Sequence, residues 1–388
     1  MKVLLIGEYS GVHTNLAKGL KAKGHEVYII GDTDGYKQIG APDLFVFKSR
    51  LYSRFRPLNF LLNVYYVILE FLGVKGLLYS IKKIKEIREV RNYEVIQLIN
   101  TRPFSSISSL GNLILLFFLF KNNNKIFLCA LGDDYTWVNG CLKAKPKYSK
   151  FNRFKLSKMK YFLWSLVYVY GVGFKLLDRY VTHKAVKIIP GLYDYYFAYR
   201  NEKYNNKLSE IIPLPIEIPQ QEVEPYRFKE YPIKIFHGWQ AGREFDKGND
   251  LFDAAIKKLI EVHPDKVKYE VVSGVPYAEY IKKFNDSAIY IDQCYSLDKG
   301  MNALLGMRVG KVVFSGFDVD VADYFSTQYN TCLIDAPPDK NSIYEILESL
   351  IVNPKNIESI SINAIRFVRH YHNLDQVTQS YIETWSQG

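Results

Sequence analysis

The sequence predicts an α/β protein built from two Rossmann-like halves, and three observations carry this. The chain opens with a strand, a loop, a helix and a second strand: "KVLLIG", "EYSGVH", "TNLAKGLKAKG" and "HEVYIIGD" (His25–Asp32). That is the order of a β-α-β crossover. The same strand–helix rhythm restarts at Ile233. Between the two runs lies "LPIEIPQQEVEPYRFKEYP" (Leu214–Pro232), rich in proline and without helical period, which reads as a linker. A chain of 388 residues is also too long for one simple core.

In the first domain, residues 1–213, further strands fall at Tyr93–Asn100, Lys125–Gly132 and Ala185–Gly191, with helical stretches between them. After the linker, 214–232, the second domain spans 233–372. "IKIFHG" is its first strand and "DLFDAAIKKLIEVH" its first helix. "VKYEVVSG", "AEYIKKFNDS" and "AIYIDQ" follow as strand, helix and strand. "LDKGMNALLGMRVGKVVFSG" (Leu297–Gly316) then supplies a glycine turn, a short helix and a buried strand. The closing "LDQVTQSYIETW" is helical, and residues 373–388 are expected to pack back on the first domain.

Hydrophobic residues make up 48% of the chain and charged residues 23%, which describes a globular protein rather than a disordered one. The net charge of +11 suits an acidic partner: a phosphate-bearing ligand, nucleic acid or an anionic membrane. No recognised nucleic-acid-binding motif occurs and the aromatics read as buried, so nucleic acid is not expected. Cys129, Cys141, Cys294 and Cys332 show no CxxC spacing, so neither a metal site nor a disulfide framework is expected and a reducing cytoplasm fits. The opening apolar run is too short for a signal peptide, and "LILLFFLF" (Leu113–Phe120) is about half a bilayer span. Two stretches of the first domain mix Lys and Arg with Leu, Phe, Tyr and Trp: "RFRPLNFLLNVYYVILEFLGVKGLLYSIKKIKEIR" and "FNRFKLSKMKYFLWSLVYVYGVGFKLLDRY". Each reads as core helices with charged outer faces, or as a surface for peripheral association with the inner face of the cell membrane.

Four motifs could carry chemistry. "GEYSGVH" places Gly7 and Gly11 between strand and helix, where backbone amides favour an anion; an ordinary tight turn is the plainer reading. The pattern is not GxGxxG, which weakens a dinucleotide reading even with Asp32 ending the second strand. "FHGWQAGREFDKGND" turns at Gly238 and sets Arg243 and Lys247 ahead of a helix. Such a pair suits a diphosphate, Arg gripping two oxygens and Lys adding a point charge. Two solvated cations beside Glu244 and Asp246 are the alternative. In "GMNALLGMRVGKVV", Gly300 bends the chain and the amides of Met301, Asn302 and Ala303 start a helix, an anion cradle made of backbone. "ALGDDYTWVNG" places Asp133 and Asp134 at a strand's carboxyl end, to hold sugar hydroxyls or take a proton, or to cap a helix. His13 lies in the first loop and could face a ligand, and His237 follows the first strand of the second half; for a lone histidine a structural role is commoner.

In order and spacing, these stretches resemble the GT-B glycosyltransferases, and most of all the retaining family-four, glycogen-synthase-like group. The resemblance covers most of the chain and is strongest at the N-terminal unit and from Ile233 to Gly316. It implies two Rossmann-like domains facing each other across a cleft, with a nucleotide-diphosphate sugar as donor and no cofactor or metal. It implies that Arg243 and Lys247 stabilise the departing diphosphate, that Gly11 in the early loop faces it, and that Met301 and Asn302 supply amides. It also places an acid, Asp134 or Asp133, near the acceptor. One departure is plain. The group carries two glutamates in an E-x7-E spacing, and here the corresponding positions are Leu297 and Leu305, with Asp298 one residue away from the first. A lost charge-assisted contact costs about 1.5–3 kcal/mol of affinity.

The expectation is thus an active, divergent hexosyltransferase acting on a glycan acceptor, plausibly lipid-linked, in surface polysaccharide or glycoconjugate synthesis. The alternative is a catalytically inactive GT-B scaffold that binds a glycan or a partner enzyme. Sugar-nucleotide epimerisation is a third reading and needs acids near the sugar that the sequence does not place.

Overall fold

In the computed structural model, which describes residues 1–32, 55–123, 125–239, 244–275 and 277–388, the chain divides into two compact units. One comprises Met1–Lys143, Leu163–Pro215 and Leu374–Gly388; the other comprises Ala144–Phe162 and Ile216–Asn373. The segment Ala144–Phe162 thus belongs with the second unit although it lies within the first half of the sequence.

The first unit runs β1 (Lys2–Ile6), α1 (Val12–Ala22), β2 (Glu26–Ile30), α2 (Arg56–Phe71), α3 (Leu77–Lys82), α4 (Ile84–Glu89), β3 (Val95–Leu98), α5 (Ser109–Lys121), β4 (Ile126–Ala130), α6 (Tyr135–Ala144), α7 (Leu163–Tyr170), α8 (Phe174–Lys184), β5 (Lys187–Pro190) and α9 (Tyr193–Tyr199). The second runs β6 (Ile233–Gly238), α10 (Glu244–Lys247), α11 (Asn249–Val262), β7 (Val267–Val272), α12 (Tyr277–Asn285), β8 (Ile289–Ile291), α13 (Met301–Met307), β9 (Val312–Ser315), α14 (Val319–Tyr324), β10 (Ile334–Asp335), α15 (Lys340–Val352) and α16 (Lys355–Tyr371). The chain then returns to the first unit as α17 (Leu374–Ser386).

Each unit holds a five-stranded parallel sheet, in the order β2-β1-β3-β4-β5 in the first and β10-β9-β8-β6-β7 in the second. Strands covered on both faces read as near-continuous apolar runs. β4, "IFLCA", and β9, "VVFS", are buried at every residue. The apolar "LILLFFLF" is the body of α5, whose Leu115, Leu116, Leu119 and Phe120 enter the core of the first unit. It is a buried helix, and no helix among the described residues is long and apolar enough to cross a membrane.

The other face of the first sheet is closed by α1 and α17. Val377, Tyr381 and Trp385 recur at helical spacing along α17 and are all buried. The Trp385 indole N–H also donates to Oε1 of the buried Gln97 on β3 at 3.0 Å. Trp385 therefore couples packing to a satisfied buried polar group. Trp385→Ala is expected to destabilise the first unit by about 3–5 kcal/mol, a cavity plus an orphaned amide oxygen; urea unfolding followed by tyrosine and tryptophan fluorescence measures it, and a loss below about 1 kcal/mol would contradict this account.

Candidate functional site

In a doubly wound parallel sheet, a crevice opens beyond the carboxyl ends of the two strands at which the strand order reverses. In the second unit these are β6 and β8. β6 ends at Gly238, where a Cβ would lie 2.7 Å from the Tyr280 hydroxyl. Arg243 lies outside the described residues. Lys247 ends the single turn of α10 and is nearly buried, and its Nζ donates to Oδ1 of Asp292 at 2.8 Å. Asp292 lies just beyond β8 and is buried too; its Oδ2 accepts from the Ser315 hydroxyl at 3.1 Å. An ammonium has three donors. One goes to Asp292, and the other two have no acceptor among the described residues.

The next residue, Gly248, has φ +78°, and a Cβ there would lie 2.2 Å from the sulfur of Cys294. Glycine therefore lets the Lys247 backbone close on the loop after β8, where the Cys294 N–H donates to the Lys247 carbonyl at 3.0 Å. His237 and Asn249 are fully buried alongside. His237 Nδ1 pairs with the Tyr269 hydroxyl at 2.7 Å. The Asn249 side chain is the neighbour of the ring, and beyond that contact neither Nε2 nor the Asn249 amide has a partner among the described residues. Burial outweighs the opposing effect of the Asn249 contact and pushes the His237 pKa down to about 4, so the ring is neutral.

A one-turn helix has no stability of its own. The segment 144–162 holds α10 in place. Arg153 grips Asp250 with both Nη atoms, at 2.7 and 2.8 Å, and its guanidinium lies 3.8 Å from the centre of the Phe245 ring. Tyr161 stacks on Phe245 and Phe162 meets it edge-on. Lys147 pairs with Asp318 at 2.5 Å, tying the same segment to the start of α14. The sequence reading missed Arg153, because nothing local links residue 153 to residue 250.

The glycine turn before α13 carries a correction. Asp298, expected to stand in for a lost glutamate, is buried; its Oδ1 accepts from the Lys299 backbone N–H at 2.7 Å and from Lys299 Nζ at 2.9 Å. Lys299 is fully buried, its ammonium 4.1 Å from the ring centre of Phe325, 4.9 Å from Phe367 and 5.2 Å from Phe317. Asp298 is thus the counter-ion of a caged lysine. Gly300 is extended, with open space around it, ahead of the buried Met301 and half-buried Asn302. Leu297 is buried and Leu305 half-buried.

In the first unit the strand order reverses between β1 and β3. Gly7, at φ +82°, could carry no side chain, since a Cβ would lie 2.4 Å from Ile99 and 2.7 Å from the Pro103 carbonyl. Gly11 is the N-cap of α1. Glu8 accepts from the Gly11 N–H at 3.0 Å and from the Thr14 N–H and hydroxyl at 2.7 Å each, so it occupies the donors at the start of α1. The sequence reading missed it; an acid just ahead of a helix start was the available signal.

His13, expected to face a ligand, is instead fully buried. Its Nδ1 pairs with the Gly7 carbonyl at 2.7 Å, its Nε2 lies 3.4 Å from Gln97 Nε2, and burial pushes its pKa down to about 4. Asp134 is corrected as well. It is fully buried, accepting from the Trp137 N–H at 2.6 Å at the start of α6 and from the Tyr199 hydroxyl at 2.6 Å. Burial, and next the charge of Asp178, push its carboxyl pKa up. Asp133 is the accessible member of the pair: half-buried, with one oxygen accepting from the Ser165 hydroxyl at 2.6 Å. Asn100 joins the loops after β3 and β4 through the Leu131 and Asp133 carbonyls, at 2.6 and 3.4 Å. Asp32 holds the Ser105 and Ser106 amides of the loop after β3. No group of three His, Cys, Asp or Glu side chains that could hold a metal ion occurs among the described residues.

No family model and no curated protein matches the sequence. Solved structures do match in fold over the whole chain. The Anabaena protein HepE, solved with UDP and glucose, is 12% identical, with 100% of both chains covered and a TM-score of 0.59. Sucrose-phosphate synthase from Thermosynechococcus elongatus is 12% identical, covering 100% of this chain and 99% of its own, TM-score 0.59. A glycosyltransferase from Rickettsia africae is 12% identical, covering 99% and 97%, TM-score 0.54. The fold is the two-domain α/β arrangement of the GT-B glycosyltransferases.

Two predictions follow from the geometry of the site. A carboxyl whose pKa is raised by folding contributes stability at low pH, and the contribution is lost as pH rises from the ordinary Asp value of about 4 through the raised one. Asp134→Asn is therefore expected to remove part of the fall in unfolding free energy on the alkaline side of pH 4, as read by urea unfolding in a pH series; an unchanged slope would mean an ionised, solvated Asp134. Arg153→Ala is expected to speed hydrogen exchange of the α10 amides roughly tenfold, equivalent to about 1.4 kcal/mol of local stability, with Arg153→Lys intermediate because it loses the two-point grip.

Proposed function

We propose that the protein is a glycosyltransferase that moves a sugar from a nucleotide-diphosphate sugar to a glycan acceptor. The observation that carries this is Lys247: a nearly buried ammonium, two of whose donors meet no acceptor among the described residues, at the strand-order reversal of the second sheet. It stands in a fold shared with HepE, which has been solved with UDP-glucose, and a uridine diphosphate donor is the reading we favour.

In the reaction, the bond from the anomeric carbon to the diphosphate oxygen breaks, the acceptor hydroxyl oxygen bonds to that carbon, and the hydroxyl proton passes to the leaving diphosphate. Lys247 takes up negative charge developing on the leaving diphosphate, and Arg243, four positions earlier in the sequence, adds a two-point grip. These cations do the work that a metal would otherwise do. In the first unit, Asp133 is the acid we assign to the acceptor hydroxyl, Ser165 holding one of its oxygens. Leucines at positions 297 and 305 offer the donor no charged contact, so we expect weak donor binding and turnover with retention, as in the family-four group. Four buried free cysteines fit the cytoplasm, and we place the reaction there, on a lipid-linked acceptor in the assembly of a surface polysaccharide or glycoconjugate.

A thermal-shift screen against UDP, GDP, ADP, CMP and dTDP and their sugars tests this. A ligand at a hundred times its Kd stabilises the fold by about 2.7 kcal/mol. A shift with UDP and its sugars, reduced at least about tenfold in affinity by Lys247→Ala, is expected from loss of about 1.5–3 kcal/mol. If no nucleotide diphosphate shifts the protein, the donor reading falls. Binding without hydrolysis or transfer of any bound sugar would leave the inactive scaffold as the function.

A further inference from the structure

Helix α2 carries its apolar stripe on the outside. Its inward side presents Tyr66 and Glu70, and the buried Glu70 carboxylate pairs with Arg102 at 2.6 Å and Lys75 at 2.8 Å. Outward lie Leu58, Leu61, Tyr65, Ile68 and the adjoining Leu72, between 47 and 62% exposed. Their spacing, i, i+3, i+7, i+10 and i+14, draws a single stripe along the helix. A helix of sixteen residues is about 24 Å long. A surface helix ordinarily turns such a stripe inward, and a contiguous exposed one marks an interaction site.

A second feature adjoins it in the chain. α3 exposes Leu78 and Ile81, and Ile81 also borders a groove of about 510 Å³ along α3 and α4. Lys82, Lys85, Arg88 and Arg91 line that groove against one acid, Glu89. An apolar stripe followed directly in the chain by a cationic groove is complementary to one kind of partner, a layer whose surface is anionic and whose interior is hydrocarbon. A second copy of the chain is a poorer fit, since a two-fold contact would bring two sets of these cations together.

We infer that α2, α3 and α4 form a docking surface for an anionic lipid bilayer, the α2 stripe entering the boundary between headgroups and acyl chains and the α3–α4 groove taking phosphate headgroups. The Glu70–Arg102 pair ties α2 to the loop after β3, at the carboxyl edge of the first sheet. Docking would thus hold at the membrane surface the edge that carries Asp133. That consequence rests on the proposed transfer to a lipid-linked acceptor; the docking itself does not.

Flotation of the full chain with phosphatidylcholine vesicles, with and without about one-third phosphatidylglycerol, tests the inference. Binding to the anionic vesicles is expected to be about tenfold or more stronger than to neutral ones, and to weaken as salt rises from about 0.05 to 0.5 M. Two double variants, Leu61→Asp with Ile68→Asp and Lys85→Glu with Arg88→Glu, are each expected to lose about tenfold or more, while keeping the wild-type melting temperature and nucleotide response. The charge variant guards against a stripe variant that folds poorly. The inference is overturned if the wild type binds no vesicles, binds neutral and anionic ones alike, or keeps its binding in both variants. It is equally overturned if the chain sediments as a dimer that the stripe variant dissociates and no vesicles are bound. Vesicle binding without any nucleotide response would leave the docking surface standing and remove the donor reading.

Discussion

The carboxyl edge of the second sheet is organised around a buried ion pair, Lys247 with Asp292. Taking an ammonium out of water is costly, and a buried carboxylate offsets that cost only with good geometry and further hydrogen bonds. Asp292 meets both conditions, with one oxygen on Lys247 and the other on Ser315. The pair joins the loop after β6 to the end of β8, and through Ser315 to β9, so three strands share one polar centre at their carboxyl ends. Buried pairs of this kind seldom add stability over an apolar replacement of the same volume. What an apolar pair could not supply is the two remaining ammonium donors, and the proposed diphosphate contact is a use for them.

That centre depends on a segment distant in sequence. Residues 144–162 leave the first unit after α6, pack with the second, and return at α7. Their contacts are of two kinds. Arg153 and Lys147 reach carboxylates at the starts of α11 and α14, where negative charge also favours the helix dipole. Tyr161 and Phe162 close on Phe245, the middle of α10. The short helix that ends in Lys247 is therefore fixed by side chains from a different part of the chain, which is why its conformation does not follow from its own four residues.

The alternation of strand and helix was legible in the sequence because buried parallel strands are apolar at successive positions and cannot be mistaken for solvated segments. "KVLLI", "IFLCA" and "VVFS" are of this kind, and the ends of the first two fell within one or two residues of the expected ones. β10 is only two residues long and left no comparable run. What the sequence could place was position: Lys247 and Asp133 fall near the carboxyl ends of strands, as their residue type and spacing suggested. The site was misread where burial decides the role. Nothing in "GEYSGVH" says that His13 turns inward to Gly7 and Gln97 while Glu8 takes the helix amides, and nothing in "GDDY" says which aspartate faces out. Position on α6 decides the latter: Asp134 takes the capping position, and Asp133, one residue earlier, is left at the rim.

The leucines at 297 and 305 become intelligible beside Lys299. A loop with a fixed path ahead of α13 needs an anchor. In this chain the anchor is internal: an ammonium enclosed by three phenylalanine rings and neutralised by the preceding aspartate. Cation–π contacts gain most where water is excluded, and a fully buried lysine is such a case. The arrangement fixes the path of residues 297–300 without any side chain reaching outward. Gly300, extended and with open space around it, then leaves the backbone as the surface presented. Backbone of this kind reads phosphate and shape better than it reads the hydroxyls of a particular sugar, which suits a proposed donor contact that lacks the two glutamates.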